Sequence, residues 1–185
     1  MSELSDVSLE FEFVGQGWAN CMLSVGDQAM QIEGFSDTHD ETFREFLLAA
    51  INERVGGWSS HVVFDHEPTM HRLSLQGVWD HKMAQRHTEL VVEKFPDVYG
   101  KSVPGTGKTV FEAKARYESF CEAVDSAFDK FDTNPADSFE PHWYFPYPIQ
   151  ARNALTAVMT TEARPMRPQK PGGIAIKIVG QTPDD

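Results

Sequence analysis

The sequence predicts an α+β domain built on antiparallel sheet, with about six or seven strands and two main amphipathic helices. Three observations carry that prediction. Apolar residues alternate with polar ones at the start of the chain, at Val7, Leu9, Phe11 and Phe13. A second alternating stretch, His61 to Gln76, folds back on itself around Glu67-Pro68. Two segments repeat apolar residues at helical spacing, one around Phe43–Ile51 and one around Tyr117–Phe131. A period of two marks a strand with one buried face, and a period near 3.6 marks a helix with one buried stripe.

In chain order, Val7–Phe13 is the first strand, Gly15-Gln16-Gly17 its turn, and Trp18–Val25 the second strand, with Ala19, Cys21, Leu23 and Val25 on one side. Gly26-Asp27 turns the chain into a third strand, Ala29–Phe35, which completes a meander. Thr38 and Glu41 have the spacing of a capping box. They open a helix whose face is Phe43, Phe46, Leu47, Ala50 and Ile51 and which Gly56-Gly57 can end.

The hairpin follows. Pro68 suits the second position of a type I turn, because its ring holds φ near −65°. That turn sets Glu67 opposite Met70, so that Val62 faces Leu75, Phe64 faces Leu73, His66 faces His71 and Asp65 faces Arg72. Thr88–Phe95 and Thr109–Lys114 read as further strands, joined by a loop at Lys101–Lys108. The second helix carries Tyr117, Phe120, Cys121, Val124, Phe128 and Phe131 as one stripe, with acidic residues facing away. The predicted order is therefore βββ-α-ββ-β-β-α.

Composition changes after Asp132. Eight of the 11 prolines lie between Pro135 and Pro183. This divides the chain into a compact α+β domain (1–132), an aromatic and Pro-rich segment and short helix that pack on that domain (133–162), and a basic Pro-rich tail with a β-prone end (163–185). The short helix runs from Pro148 to Thr161, with Ala151, Leu155, Val158 and Met159 together. The tail ends in Ile174-Ala175-Ile176-Lys177-Ile178-Val179, a β-prone run suited to pairing with an exposed sheet edge, in its own chain or in a homo-oligomer.

The net charge of −12 is unevenly held. Residues 163–185 have four basic and two acidic side chains, +2, so residues 1–162 carry −14. An acidic body repels nucleic acid and anionic lipid; it aids solubility and steers basic protein partners. No apolar run is long enough for a membrane span, and Met1–Asp6 lacks the basic and apolar regions of a secretory signal, so a cytoplasmic location is expected. Cys21 and Cys121 lie far apart on apolar faces and read as core thiols.

Catalytic patterns are weak. Pro104-Gly105-Thr106-Gly107-Lys108-Thr109 looks like a phosphate loop, yet Ser102 stands where the first glycine belongs and a strand follows instead of a helix. Asp132–Asp137 begins like a calcium loop but has Pro135 and no glycine. No Gly-x-Ser-x-Gly elbow occurs. No cofactor is implied. The histidines are denser: His61, His66, His71, His81 and His87 fall within a short span. His66, His71 and His81, with Asp80, are candidate metal ligands, since paired imidazoles suit zinc and related ions. Trp143, Tyr144 and Tyr147 are candidate partner contacts, because Trp and Tyr are enriched at binding hot spots; the same segment could instead pack as a lid. The sequence thus points first to a non-enzymatic acidic interaction protein, of inhibitor or immunity type, that binds a basic partner. The alternative is a metal-dependent or small-ligand enzyme built on His66, His71 and His81.

Overall fold

The structure is a computed structural model. It describes residues 4–36, 41–66, 68–82, 84–96 and 105–161. The architecture is α+β. Strands β1 (Val7–Gly15), β2 (Trp18–Val25) and β3 (Gln28–Ser36) form an antiparallel meander. Helix α1 (Thr42–Arg54) leads into a second antiparallel sheet of β4 (Ser59–His66), β5 (Thr69–Asp80), β6 (Gln85–Phe95) and β7 (Lys108–Arg116). Then come α2 (Ser119–Asp132), the single turn α3 (Pro135–Ser138) and α4 (Ile149–Thr160).

The alternation of β1 places Val7, Leu9 and Phe11 inside, with Ser8, Glu10 and Glu12 at the surface. Helix α1 begins at Thr42 after Glu41, without a side-chain cap, so the predicted capping box does not start it; Thr38 lies outside the described residues. At its other end Gly56 takes φ +88°, a conformation open to glycine at little cost, and the Gly56 and Gly57 amides bond Glu53 and Asn52 carbonyls.

The hairpin corrects the predicted register. His66 pairs with Thr69, Phe64 with His71, Val63 with Arg72 and Val62 with Leu73. Pairing is thus displaced by two residues from the expected one. Glu67-Pro68 is a two-residue connection, and the Thr69 hydroxyl lies 2.8 Å from His66 Nε2. A slip of two keeps every side chain on its own face, which is why Val62, Phe64, Leu73 and Leu75 are all buried as expected. The partners do change. Asp65 pairs with Met70, not Arg72, and is itself buried.

Both sheets and the helices feed one hydrophobic core running from Val7 to Leu155. Phe43 sits at its centre. Its ring meets Trp143 at 4.8 Å, Phe11 at 4.9 Å and Phe139 at 5.1 Å between centroids, all edge-to-face. Such pairs add ~0.5–1.5 kcal/mol each beyond the area they bury. Residues 139–155 contribute Phe139, Trp143, Tyr147, Ala151 and Leu155 to this core. Helix α4 is fixed by Arg152, which is buried and bonds Asp125, Asp129 (2.9 Å) and Asp132 (2.7 Å) of α2. Tyr147 donates its hydroxyl to the same Asp132.

Candidate functional site

An opening lies between β1 and α2. On the other side of β1, the ladder to β2 is complete from Val7 to Phe13. Its outer edge has no strand partner among the described residues; one parallel bridge, Ser5 to Ala115, closes its N-terminal end. The Phe11 carbonyl points to that edge, since it accepts from Lys130 Nζ of α2. The period of two gives Leu9 and Val7 the same backbone orientation. Helix α2 forms the opposite wall. Its inner stripe, Phe120, Val124, Phe128 and Phe131, is buried and large, whereas the side toward β1 offers Ala123, Ser126 and Ala127. Small side chains on one wall and an unpaired strand on the other leave a cleft of about 570 Å³. A second cleft of about 540 Å³ adjoins it at Ser5–Ser8, Ser24 and Gly26.

The rim is acidic. Asp6, Glu10 and Glu122 line the opening, and all three are exposed. Arg116 ties Asp6 (2.6 Å) to Glu122 at one end. At the other end, burial lowers the Lys130 pKa, while Glu10 and Glu12 work against that shift. Lys130 thus blunts an edge that a flanking lysine commonly protects.

The histidines are brought together in part. The His66 and His71 rings stack 4.9 Å apart, 23° from parallel, as diagonal rather than facing neighbours. Burial, then His66 and Lys94, hold the His71 pKa down to about 4. Burial and Lys94 lower His66 as well, against Asp65. His81 is exposed just beyond the far end of β5, about 30 Å from His71 at strand spacing. Asp80 ends the strand beside it. Among the described residues no three His, Cys, Asp or Glu side chains gather as a metal set.

The three aromatic candidates divide. Trp143 is buried against Phe35 and Phe43, and Tyr147 is buried on Asp132, so both serve the core. Tyr144 is 63% exposed and bonds Gln16 at 2.9 Å. The segment is mainly the packed lid of the two readings.

The glycine loop is engaged internally. The Gly105 and Gly107 amides donate to Glu93, a buried carboxylate, at 3.0 and 3.2 Å. A Cβ on Gly107 would stand 2.7 Å from the Phe95 ring, so glycine is required for this approach. Strand β7 follows at Lys108, as the sequence suggested; residues 101–104, including Ser102, lie outside the described residues. Both thiols are buried; burial pushes Cys121 up to about 12 and Cys21 higher still.

One buried polar group is absent from the sequence reading. Burial raises the Glu53 pKa, while hydrogen bonds from Thr88 (2.5 Å) and the Cys121 amide (2.8 Å) oppose the rise. Arg86 lies beside it, between the rings of Trp58 and Tyr117 at 5.0 and 4.2 Å. The adjoining cavity, about 10 Å³, has room for one water at most, so this network is structural.

No protein-family model, curated protein or solved structure matches the chain. The groove was also missed from sequence. Its trace was there, in Ala123, Ser126 and Ala127 at helical spacing along one flank of the aromatic stripe. No helix among the described residues is long and apolar enough to cross a membrane.

Proposed function

We propose that this chain is a non-enzymatic interaction domain that takes an extended, basic segment of a protein partner along the outer edge of β1. The observation that carries the reading is the β1 edge, without a strand partner among the described residues, opening onto a cleft rimmed by Asp6, Glu10 and Glu122. An incoming strand bonds the outward main-chain groups of Val7 and Leu9, and takes over Phe11 when Lys130 swings out. Main-chain pairing supplies affinity, and alternate side chains supply specificity. Apolar side chains of the ligand enter beside Ala123 and Ala127; its Lys or Arg residues meet the acidic rim. The body charge of −14 steers a basic partner toward the molecule, and this attraction weakens with salt. An inhibitor or immunity-type role suits such a surface. The histidine alternative has less support, because His81 stands at the opposite end of β5 from His66 and His71.

Selection of a random-peptide phage library on the full chain tests the proposal. Selected peptides should alternate apolar with Lys or Arg residues. Their affinity should fall about tenfold or more, ~1.4 kcal/mol, in Ser126→Trp, which fills the groove from an exposed helix position. Glu10→Lys should act in the same direction. Peptides without basic residues, or binding indifferent to Ser126→Trp, would overturn the proposal.

A further inference from the structure

Charge divides the two sheets. Between Leu4 and Ser36, which spans β1–β3, the sequence has five acidic residues and no Lys, Arg or His. Between Ser59 and Arg116, which spans β4–β7, it has eight Lys or Arg residues and seven acidic ones. The β-prone run 174–179 lies outside the described residues. We infer that the outer face of the three-stranded sheet, at the β1–β2 turn, is a second docking surface. It takes an arginine of a basic protein partner over Trp18, with Glu12 and Glu33 on either side. This face is not part of the groove, so the inference stands or fails apart from the groove reading.

Alternation builds the face. In β2 the residues Ala19, Cys21, Leu23 and Val25 are buried, so Trp18, Asn20, Met22 and Ser24 point outward. Trp18 is 42% exposed, and a Cβ on Gly34 would stand 3.9 Å from its Cε3. The indole therefore lies along the bare backbone of β3. Asn20, two residues on, fixes its neighbours. Its Oδ1 accepts from the Gly34 amide at 2.9 Å, and its Nδ2 donates to Glu12 at 3.2 Å. Glu12 on β1 and Glu33 on β3 thus flank β2 at the level of Asn20, and both are exposed. Lys130 of α2 feels Glu10 and Glu12 from beyond the β1 edge, whereas Glu33 is on the strand at the other edge.

Apolar surface continues around the turn. Val14, left out of the ladder at a register shift, is 51% exposed, and Tyr144 is 63% exposed. Tyr144 is held beside the turn by its bond to Gln16, and the Gly17 amide bonds the His142 carbonyl at 2.7 Å.

These groups select one chemistry. An exposed indole attracts a cation through its π face, and carboxylates on both sides demand positive charge. A guanidinium is planar and weakly hydrated, so it stacks on the ring while its N–H groups stay free for the carboxylates. An ammonium is a more strongly hydrated point charge and fits less well. Phosphate groups are repelled by the same glutamates, which leaves a protein as the partner.

Titration of a short alternating Gly-Arg peptide into the full chain, at near-physiological salt, tests the inference. The Trp18 indole N–H resonance, assigned by its loss in Trp18→Thr, should shift saturably. By calorimetry, affinity should fall about tenfold in Trp18→Thr and about threefold in Glu33→Gln, an exposed position. A Gly-Lys peptide should bind about threefold more weakly. A Gly-citrulline peptide, similar in shape but neutral, should not bind. Asp27→Asn removes the same charge from the opposite end of the sheet, beyond the screening length, and should change affinity by less than about twofold. An unmoved Trp18 resonance, equal binding of the citrulline peptide, or equal losses in Glu33→Gln and Asp27→Asn would each overturn the inference. So would loss of the Gly-Arg peptide in Ser126→Trp with retention in Trp18→Thr, which assigns the peptide to the groove. If library-selected peptides bind the groove while the Trp18 resonance stays fixed, only this inference fails. If Ser126→Trp leaves every peptide bound while Trp18→Thr releases the Gly-Arg peptide, the groove reading fails and this one stands.

Discussion

The two long faces of α2 solve opposite problems with the same helix. Toward the interior it presents Phe120, Val124, Phe128 and Phe131, all buried, and the space beside them is closed. Toward β1 it presents the exposed Ser126 beside the small, buried Ala123 and Ala127, and a cleft opens along them. Side-chain size on one helix thus separates a region built for stability from one available for contact. Packed interiors penalise any lost volume, whereas a cleft lined by small residues has little packing to lose. The aromatic lid belongs with the first region: Phe139, Trp143 and Tyr147 close the interior from the α3–α4 side and leave the groove uncovered.

Phe128→Ala tests the closed region hardest. Its ring lies 5.8 Å from Phe11, 6.0 Å from Phe43 and 6.0 Å from Phe131, so truncation should cost ~3–5 kcal/mol through lost transfer energy and a residual cavity. A clear fall in the urea midpoint is expected. An unchanged midpoint would erase the distinction between the two faces.

A second test uses charge in place of volume. His71 sits on the buried side of the hairpin, and its pKa is lowered from 6.5 to about 4 by burial first and by His66 and Lys94 next. The unfolded chain takes up this proton near pH 6.5, and the folded one only near pH 4. Stability from this group is therefore complete above about pH 6.5 and declines as pH falls toward 4, by ~3 kcal/mol in all. Unfolding free energies across that window should show the loss, and His71→Leu should flatten the curve by about one proton. A slope unaltered in His71→Leu would mean that the ring is open to water.

Arg152→Met probes how the lid is held. The guanidinium is buried, but Asp129 is largely exposed and Asp125 and Asp132 are partly so, which tempers the cost of leaving them unpaired. A loss of ~1–3 kcal/mol in thermal or urea unfolding is expected, with Arg152→Lys recovering part of it. No change in either variant would show that apolar packing alone retains α4.

Ser126→Trp should have the smallest effect on stability, within ~0.5 kcal/mol, because the position is exposed and faces the cleft. Its thermal midpoint should stay near that of the unaltered protein while peptide binding is lost. A large destabilisation would mean that the groove is already packed.

Amino-acid pattern alone determined the elements and their faces. The alternation at Val7–Phe13 and the stripe at Phe120–Phe131 identify β1 and α2 because burial selects side chains at fixed periods. Tertiary structure decided what that periodicity leaves open. The hairpin register differs by two from the expected one, since a two-residue slip leaves every residue on the same face and only the turn and its neighbours can choose. Arg152 reads as one isolated cation until α4 lies across Asp125, Asp129 and Asp132. Trp143 and Tyr144 are adjacent in sequence, yet one is 1% exposed and the other 63%, because the path of an irregular segment follows no period. The groove is the same kind of fact. It is the gap between two elements far apart in the chain, and it exists because α2 packs against α1 and β1 with its small side chains toward the free edge.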